Sequence, residues 1–266
     1  MKKRGQVSVF VIIGVILIVI FSLIFLFKDK ITETIRQEPT NPQEYLNQQL
    51  NNIKNEIGKC VSKETSEASQ LLMQNGGEFE GYGSYINYYG VKYPILCREI
   101  NNTNTCLSQP IIILDLQNKL DNYLPDKINK CVNLEEFKNK DYVLNLGKFI
   151  IKTEIFNDKI LVNLDTKISL KKDNIIVESS NLLYDIKIPL GDLSIVANEL
   201  IQIKASGGKI SIVQYNKDKF NKYFIDVRRP YPDEVYKISL TNNPEFNFYF
   251  AIEGIGRFER PEGRIE

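Results

Sequence analysis

The residues with the most legible chemistry are four cysteines, Cys60, Cys97, Cys106 and Cys131. No CxxC pair occurs and the chain has no histidine, so a zinc site would need all four thiolates at spacings that match no ribbon or knuckle. An even count without metal spacing points instead to two disulfides and an oxidising compartment. The lack of histidine also removes His-based triads and His general bases. No Gly-x-Gly-x-x-Gly, Gly-Lys-Ser/Thr or Asp-x-Asp-x-Asp-Gly segment is present. Gly254-Ile255-Gly256 has too little chain behind it for a dinucleotide-binding helix. The adjacent pairs Glu135-Glu136 and Asp233-Glu234 are the kind carried by solvated loops. The expectation is therefore no catalytic residue, no cofactor and no metal: a structural or adhesive chain that is not an enzyme. The alternative is a membrane-anchored envelope enzyme or protein-quality factor whose site shows no motif.

The binding candidates are aromatic. Tyr82, Tyr85, Tyr88, Tyr89 and Tyr93 crowd a stretch with Gly81, Gly83, Gly90 and Pro94. Tyr carries a flat apolar body with a polar tip, so clustered tyrosines on a Gly-rich loop suit a contact surface; the plainer role is to cover a helix edge. Arg228-Arg229-Pro230-Tyr231-Pro232 has the guanidinium groups for an anionic sugar or lipid head group, although a solvated turn is the favoured reading. Asn101-Asn102-Thr103 is a glycosylation sequon with Asn101 as acceptor. Net charge is +1 over 266 residues, which gives no field for nucleic acid. Setting aside Lys2, Lys3 and Arg4 leaves 31 basic against 33 acidic residues, net −2.

Elements must position these groups. Leu46, Leu50, Ile53, Ile57, Val61, Ala68, Leu71 and Leu72 step mostly by three or four, which predicts an amphipathic helix closed by Gly76-Gly77. A second helix is predicted over 111–131, around Leu116, Leu120, Leu124 and Ile128, and should pair with the first. Between them, Cys97 and Cys106 flank a turn at 101–105. Period-two alternation then gives arms at 148–156 and 159–170, a short run at 175–177 and a strand at 182–190, a meander of about four strands. Asp192 is placed as N-cap of a third helix stopped by Gly207-Gly208, and further strands are expected at 210–213, 223–227, 235–240 and 246–252, with a fraying end at 256–266. The fold class is α+β, two to three helices on one face of an antiparallel meander. Cys60 in the first helix and Cys131 at the end of the second make Cys60–Cys131 the expected staple, with Cys97–Cys106 closing the local loop; the two crossed pairings are the alternatives.

The chain's start sets the expected location. Lys2, Lys3 and Arg4 precede 21 uncharged residues, Val7 to Phe27, followed by Lys28-Asp29-Lys30. Such a run matches a bilayer's hydrocarbon core, and the flanking charges favour a cytoplasmic N-terminus and an outward C-terminal domain. The lipid bilayer is the expected partner. Arg4-Gly5-Gln6-Val7-Ser8 resembles the class III signal peptides of archaeal type IV pilin-like proteins. The resemblance implies cleavage between Gly5 and Gln6 with the helix retained, and other surface or pilus proteins as partners; the alternative is an uncleaved signal anchor. The usual Glu of the mature chain is replaced here by Phe10, so the resemblance implies processing but not a major filament subunit. The order of helix, aromatic loop, helix and meander over residues 1 to 208 also resembles membrane-anchored surface proteins of small-genome archaea. The expected organisation is a cytoplasmic stub at 1–6, a transmembrane helix at 7–27, a Pro-containing stalk at 28–44, a helix pair with meander at 45–208, and further strands with a charged tail at 209–266.

Overall fold

The computed structural model describes residues 13–19, 22, 41–80, 83–100, 105–138 and 141–254. The chain divides into two compact units, residues 1–49 and 50–266. Gly5, Gln6, Phe10, Tyr82 and Asn101 lie outside the described residues, as do most of the turn at 101–105 and the tail at 256–266.

In the first unit, residues 13–19 and 22 are helical, and Ile13, Ile16 and Leu17 stand about half exposed. The expected transmembrane helix is corrected here: among the described residues no helix is long and apolar enough to cross a membrane. The long helices of the fold are amphipathic, with charges along one face. The first, α1 (Pro42–Gln74), has its start fixed by Asn41, whose side chain accepts from the Gln43 N–H at 3.0 Å with Pro42 in the first turn.

In the second unit the predicted stripe of α1 is inside: Leu50, Ile53, Ile57, Val61, Ala68 and Leu72 are buried. The helix ends where Gly77 N–H donates to Leu72 O at 2.6 Å. The second helix, α2 (Ile113–Cys131), buries Leu116, Leu120, Leu124 and Ile128 and carries Pro125 internally. Cys60 of α1 is bonded to Cys131 of α2, Cα–Cα 5.7 Å. A short α3 (Glu135–Lys138) follows.

The single meander expected over 148–190 is in fact three long bent strands, each broken at the same level, so that they form two three-stranded sheets. Strands β4 (Val143–Leu146), β7 (Ile168–Lys172) and β8 (Ile175–Ser179) make one. Strands β5 (Ile150–Ile155), β6 (Ile160–Asp165) and β9 (Leu182–Ile186) make the other. The expected arm 159–170 splits at Thr166-Lys167. There Gly147 N–H donates to Lys167 O at 2.8 Å and the buried Thr166 hydroxyl donates to Gly147 O at 3.2 Å, in place of regular ladder bonds. The phase survives the break: Ile160, Val162, Leu164, Ile168 and Leu170 are all buried.

A third, six-stranded sheet is built from both ends of the unit. Strands β1 (Tyr85–Tyr88), β2 (Val91–Glu99) and β3 (Cys106–Ser108) join β10 (Tyr223–Arg228), β11 (Glu234–Leu240) and β12 (Asn243–Ile252). The order is β1-β2-β12-β11-β10, with β3 also on β2, and β2 and β12 run parallel. One face of this sheet is packed against α4 (Leu190–Ala205), whose Leu193, Val196, Ala197 and Leu200 are buried along with Phe248, Phe250 and Ile238 of the sheet. The fold is thus α+β with three sheets, not helices on one antiparallel meander.

Two local expectations fail, the first to a partner distant in sequence and the second to a helix cap three residues away. Asp192 is not an N-cap. It lies inside the first turn of α4, nearly buried, where its carboxylate accepts from the Tyr223 hydroxyl at 2.9 Å and pairs with Lys222 at 2.6 Å. The strand expected at 210–213 is instead the start of α5 (Ile212–Asp218), capped by Ser211, which accepts from Gln214 N–H at 3.4 Å.

Candidate contact surface

The β1–β2 hairpin turns at Tyr89-Gly90, with φ of 49° and 81°. Two successive left-handed residues make the tight turn that matches strand twist, and glycine at the second takes it without strain. The turn leaves Tyr89 90% exposed, in edge contact with Tyr88 at 4.6 Å between centroids.

Register divides the tyrosines between two faces. Tyr85 lies opposite Pro94, whereas Ile86 lies opposite Tyr93 and Tyr88 opposite Val91. Pro94 packs toward Gly76 at the end of α1, so Tyr85 sits on the helix side, with the Lys92 ammonium 4.7 Å from its ring centre. Tyr88 and Tyr93 sit on the outer face. There Tyr93 meets Tyr249 of β12 edge-to-face at 5.5 Å. Tyr93, Ile95, Val235 and Ala251 form a buried cluster with Ile86, Tyr88 and Tyr249 half-buried around it. Among the described residues every member of this cluster comes from the sheet itself.

Polar groups share that face. The ladder sets Asp226 opposite Lys237 and Lys237 opposite Tyr249, with Arg228 opposite Val235 one row on. Arg228 Nε pairs with Asp226 at 2.9 Å, and the Lys237 ammonium is 6.0 Å from the Tyr249 ring centre. Burial raises the Tyr93 hydroxyl above its ordinary pKa, and Tyr249, Asp226 and Tyr88 add to it against the opposing pull of Arg228. Tyr93 is thus a neutral hydroxyl at neutral pH. Of this surface the sequence named Tyr88, Tyr93 and Arg228 and missed Tyr249 and Asp226. The alternation of 246–252 marks Tyr249 as out of phase with Phe246, Phe248 and Phe250, but not which phase stays open.

The remaining cysteines and Arg229 are internally engaged, while Tyr231 stands 84% exposed. Cys97 and Cys106 are bonded, Cα–Cα 5.4 Å, and both are buried between β2 and β3. Arg229 pairs with Glu234 at 3.1 Å, and Glu234 also holds Lys204 at 2.7 Å and accepts from the Tyr236 hydroxyl at 2.5 Å. Burial acts to raise Glu234, but the bonds from Lys204 and Tyr236 hold it below the ordinary carboxyl range.

A groove of about 510 Å³ runs beside α4, lined by Ile111, Ile113, Ile195 and Ile203 with Asn198, Glu199 and Gln202. Its carboxylate is engaged: Tyr215 donates to Glu199 at 2.6 Å and Lys219 pairs with it at 2.9 Å. Those bonds outweigh burial and lower the Glu199 pKa. Among the described residues no group of His, Cys, Asp and Glu could hold a metal ion.

No family model matches this chain, and neither a curated protein nor a solved structure matches it. The comparisons add no support for the pilin-like resemblance.

Proposed function

We propose that this protein is a structural or adhesive component acting outside the cytoplasm, and that it makes contact through the outer face of its six-stranded sheet. One observation carries the reading. Among the described residues the aromatic cluster of Tyr88, Tyr93 and Tyr249 is built from sheet residues alone, while the opposite face of the same sheet lies under α4. Half-buried Tyr88 and Tyr249 over a buried Tyr93, with polar neighbours, have the composition of a recognition surface. The two disulfides support an oxidising compartment.

The test is adhesion. Beads coated with the full chain should bind cell-envelope preparations of the source organism. Tyr88→Ser combined with Tyr249→Ser should abolish most of that binding, and the control Ile176→Ser, at an exposed position of a different sheet, should not. Equal adhesion of wild type and the double variant refutes the reading.

A further inference from the structure

We propose that two copies of this chain pair through the free edge of β10, antiparallel about a two-fold axis at Ile225, and so join their six-stranded sheets into one. The pairing does not depend on what the outer face of the sheet binds. Strand β10 ends the sheet order, with β11 on one side. Thr241 N–H donates to Lys222 O at 2.9 Å, and these two residues continue the register that sets Tyr223 opposite Leu240. Bonded pairs alternate along an antiparallel ladder. Phe224, Asp226 and Arg228 therefore bond to β11, while the backbone groups of Tyr223, Ile225 and Val227 point away from it. Among the described residues nothing bonds to those outward groups. At the outer strand β5, by contrast, Gln117 and Asp121 of α2 close the edge at Thr153. The usual edge defences are also missing from β10. Its pairing with β11 has no bulge, Pro230 lies beyond its end, and Asp226 and Arg228 neutralise each other at 2.9 Å. Phe224 stands 58% exposed within it.

A second copy fits this edge, because the edge is complementary to itself. With Ile225 opposite its own counterpart, Tyr223 of each copy meets Val227 of the other, and every outward N–H and C=O finds a partner. The neighbouring registers are worse. One step toward the strand's start sets Val227 against Asn221, whose N–H already donates to Asn216 O at 2.7 Å. One step the other way sets Asp226 against Asp226 of the second copy, like charges directly opposite. In the central register the exposed Phe224 ring meets Asp226 instead, with Arg228 on the diagonal for a cation–π contact. On the other face, where the Tyr223 hydroxyl reaches Asp192 of α4, buried Ile225 and half-buried Val227 extend the apolar layer from one copy to the next.

The experiment is sedimentation of the full chain in mild detergent. Wild type should dimerise with a Kd of about 1–100 μM, since one strand seam buries less than a standard interface. Val227→Pro removes an N–H that faces away from β11 and spares the ladder, so it should weaken dimerisation about tenfold or more. Phe224→Glu places a carboxylate opposite Asp226 and should do the same. Ile176→Glu, at an exposed position of a different sheet, should change the Kd less than about twofold. Register is read by crosslinking, because all four native cysteines are bonded and an added thiol is the only reporter. Phe224 and Asp226 of the second copy form a non-hydrogen-bonded pair with Cα atoms about 4.5 Å apart, within disulfide reach. A mixture of Phe224→Cys and Asp226→Cys chains should therefore crosslink faster than either chain alone. Three results overturn the proposal: a wild type still monomeric at about 100 μM, dimers indifferent to both Val227→Pro and Phe224→Glu, or a single-cysteine chain that crosslinks to itself as fast as the mixture.

Discussion

Replacing Asp121 with Ala should destabilise the fold by about 2–4 kcal/mol, through one strand edge. Strand β5 is the outer strand of its sheet, and at Thr153 both backbone groups point away from β6 toward α2. Two side chains one helical turn apart receive them. Gln117 Nε2 donates to Thr153 O at 3.0 Å, and Asp121 Oδ1 accepts from Thr153 N–H at 2.7 Å and from its hydroxyl at 2.9 Å. Thr153 is 3% exposed and the Asp121 side chain 12%, so water does not readily replace what Ala removes. A buried donor left without a partner costs about 1–3 kcal/mol, and the lost bonds are charge-assisted, hence the upper part of that range or slightly beyond. The 3.1 Å pair of Asp121 with Lys152 adds little, about 0–1 kcal/mol, because the lysine is largely exposed. Asp121→Asn keeps an acceptor oxygen and should lose about 1 kcal/mol. The assay is urea unfolding of the full chain by circular dichroism, with amide exchange at Thr153 as a local readout. If Asp121→Ala costs under about 0.5 kcal/mol, or Asn costs as much as Ala, the edge-closing role is wrong.

Three further outcomes follow from the same structure. A Cβ at Gly58 would lie 2.7 Å from Tyr184 Cε1, so Gly58→Ala should cost about 1–3 kcal/mol in urea unfolding, and Tyr184→Ala in the same chain should recover part of it. Replacing Cys60 and Cys131 by Ala opens a loop of 71 residues and should cost about 2–5 kcal/mol, read as a lower midpoint under non-reducing conditions. Stability should fall at both pH extremes. Glu199 and Glu234 have lowered folded pKa values, so their contribution is complete above the ordinary Glu range and lost as pH falls through the folded values. Burial pushes Tyr184 up to about 12, so its contribution is complete below about 10 and lost as pH rises toward that value; Tyr184→Phe should flatten the alkaline limb of a melting-temperature profile.

What the sequence made legible was local. The stripe from Leu50 to Leu72 announces α1 because a helix repeats its buried face every three or four residues. The in-phase run from Ile160 to Leu170 announces strands, but the break at Thr166 depends on bonds to Gly147, twenty residues back, that alternation does not encode. Ile210-Ser211-Ile212-Val213 reads as a strand by composition, although Ser211 with Gln214 three residues on is a helix-start signal. Asp192 reads as a cap because caps are local, whereas its partner Tyr223 lies 31 residues away. The contact surface was half legible. The Tyr cluster marked the hairpin, but the split of Tyr85 from Tyr88 follows from register, and Tyr249 reaches Tyr93 only through the parallel pairing of β2 with β12.

That parallel pairing also governs the order in which the molecule can be finished. Antiparallel β1, β2 and β3 are neighbours in sequence and can assemble early, with Cys97–Cys106 fastening β2 to β3. The other flank of β2 must wait for residues 243–252, the last strand described, and the part of α4 that packs on β11 and β12 waits with it. Closing so long a loop makes completion slow relative to the local hairpins. A chain emerging from the ribosome or through a translocation pore therefore carries an unsatisfied strand flank and a half-covered apolar helix face until β12 has appeared. Truncation anywhere before β12 should leave not a smaller working domain but a sticky half-sheet whose exposed β2 flank invites association.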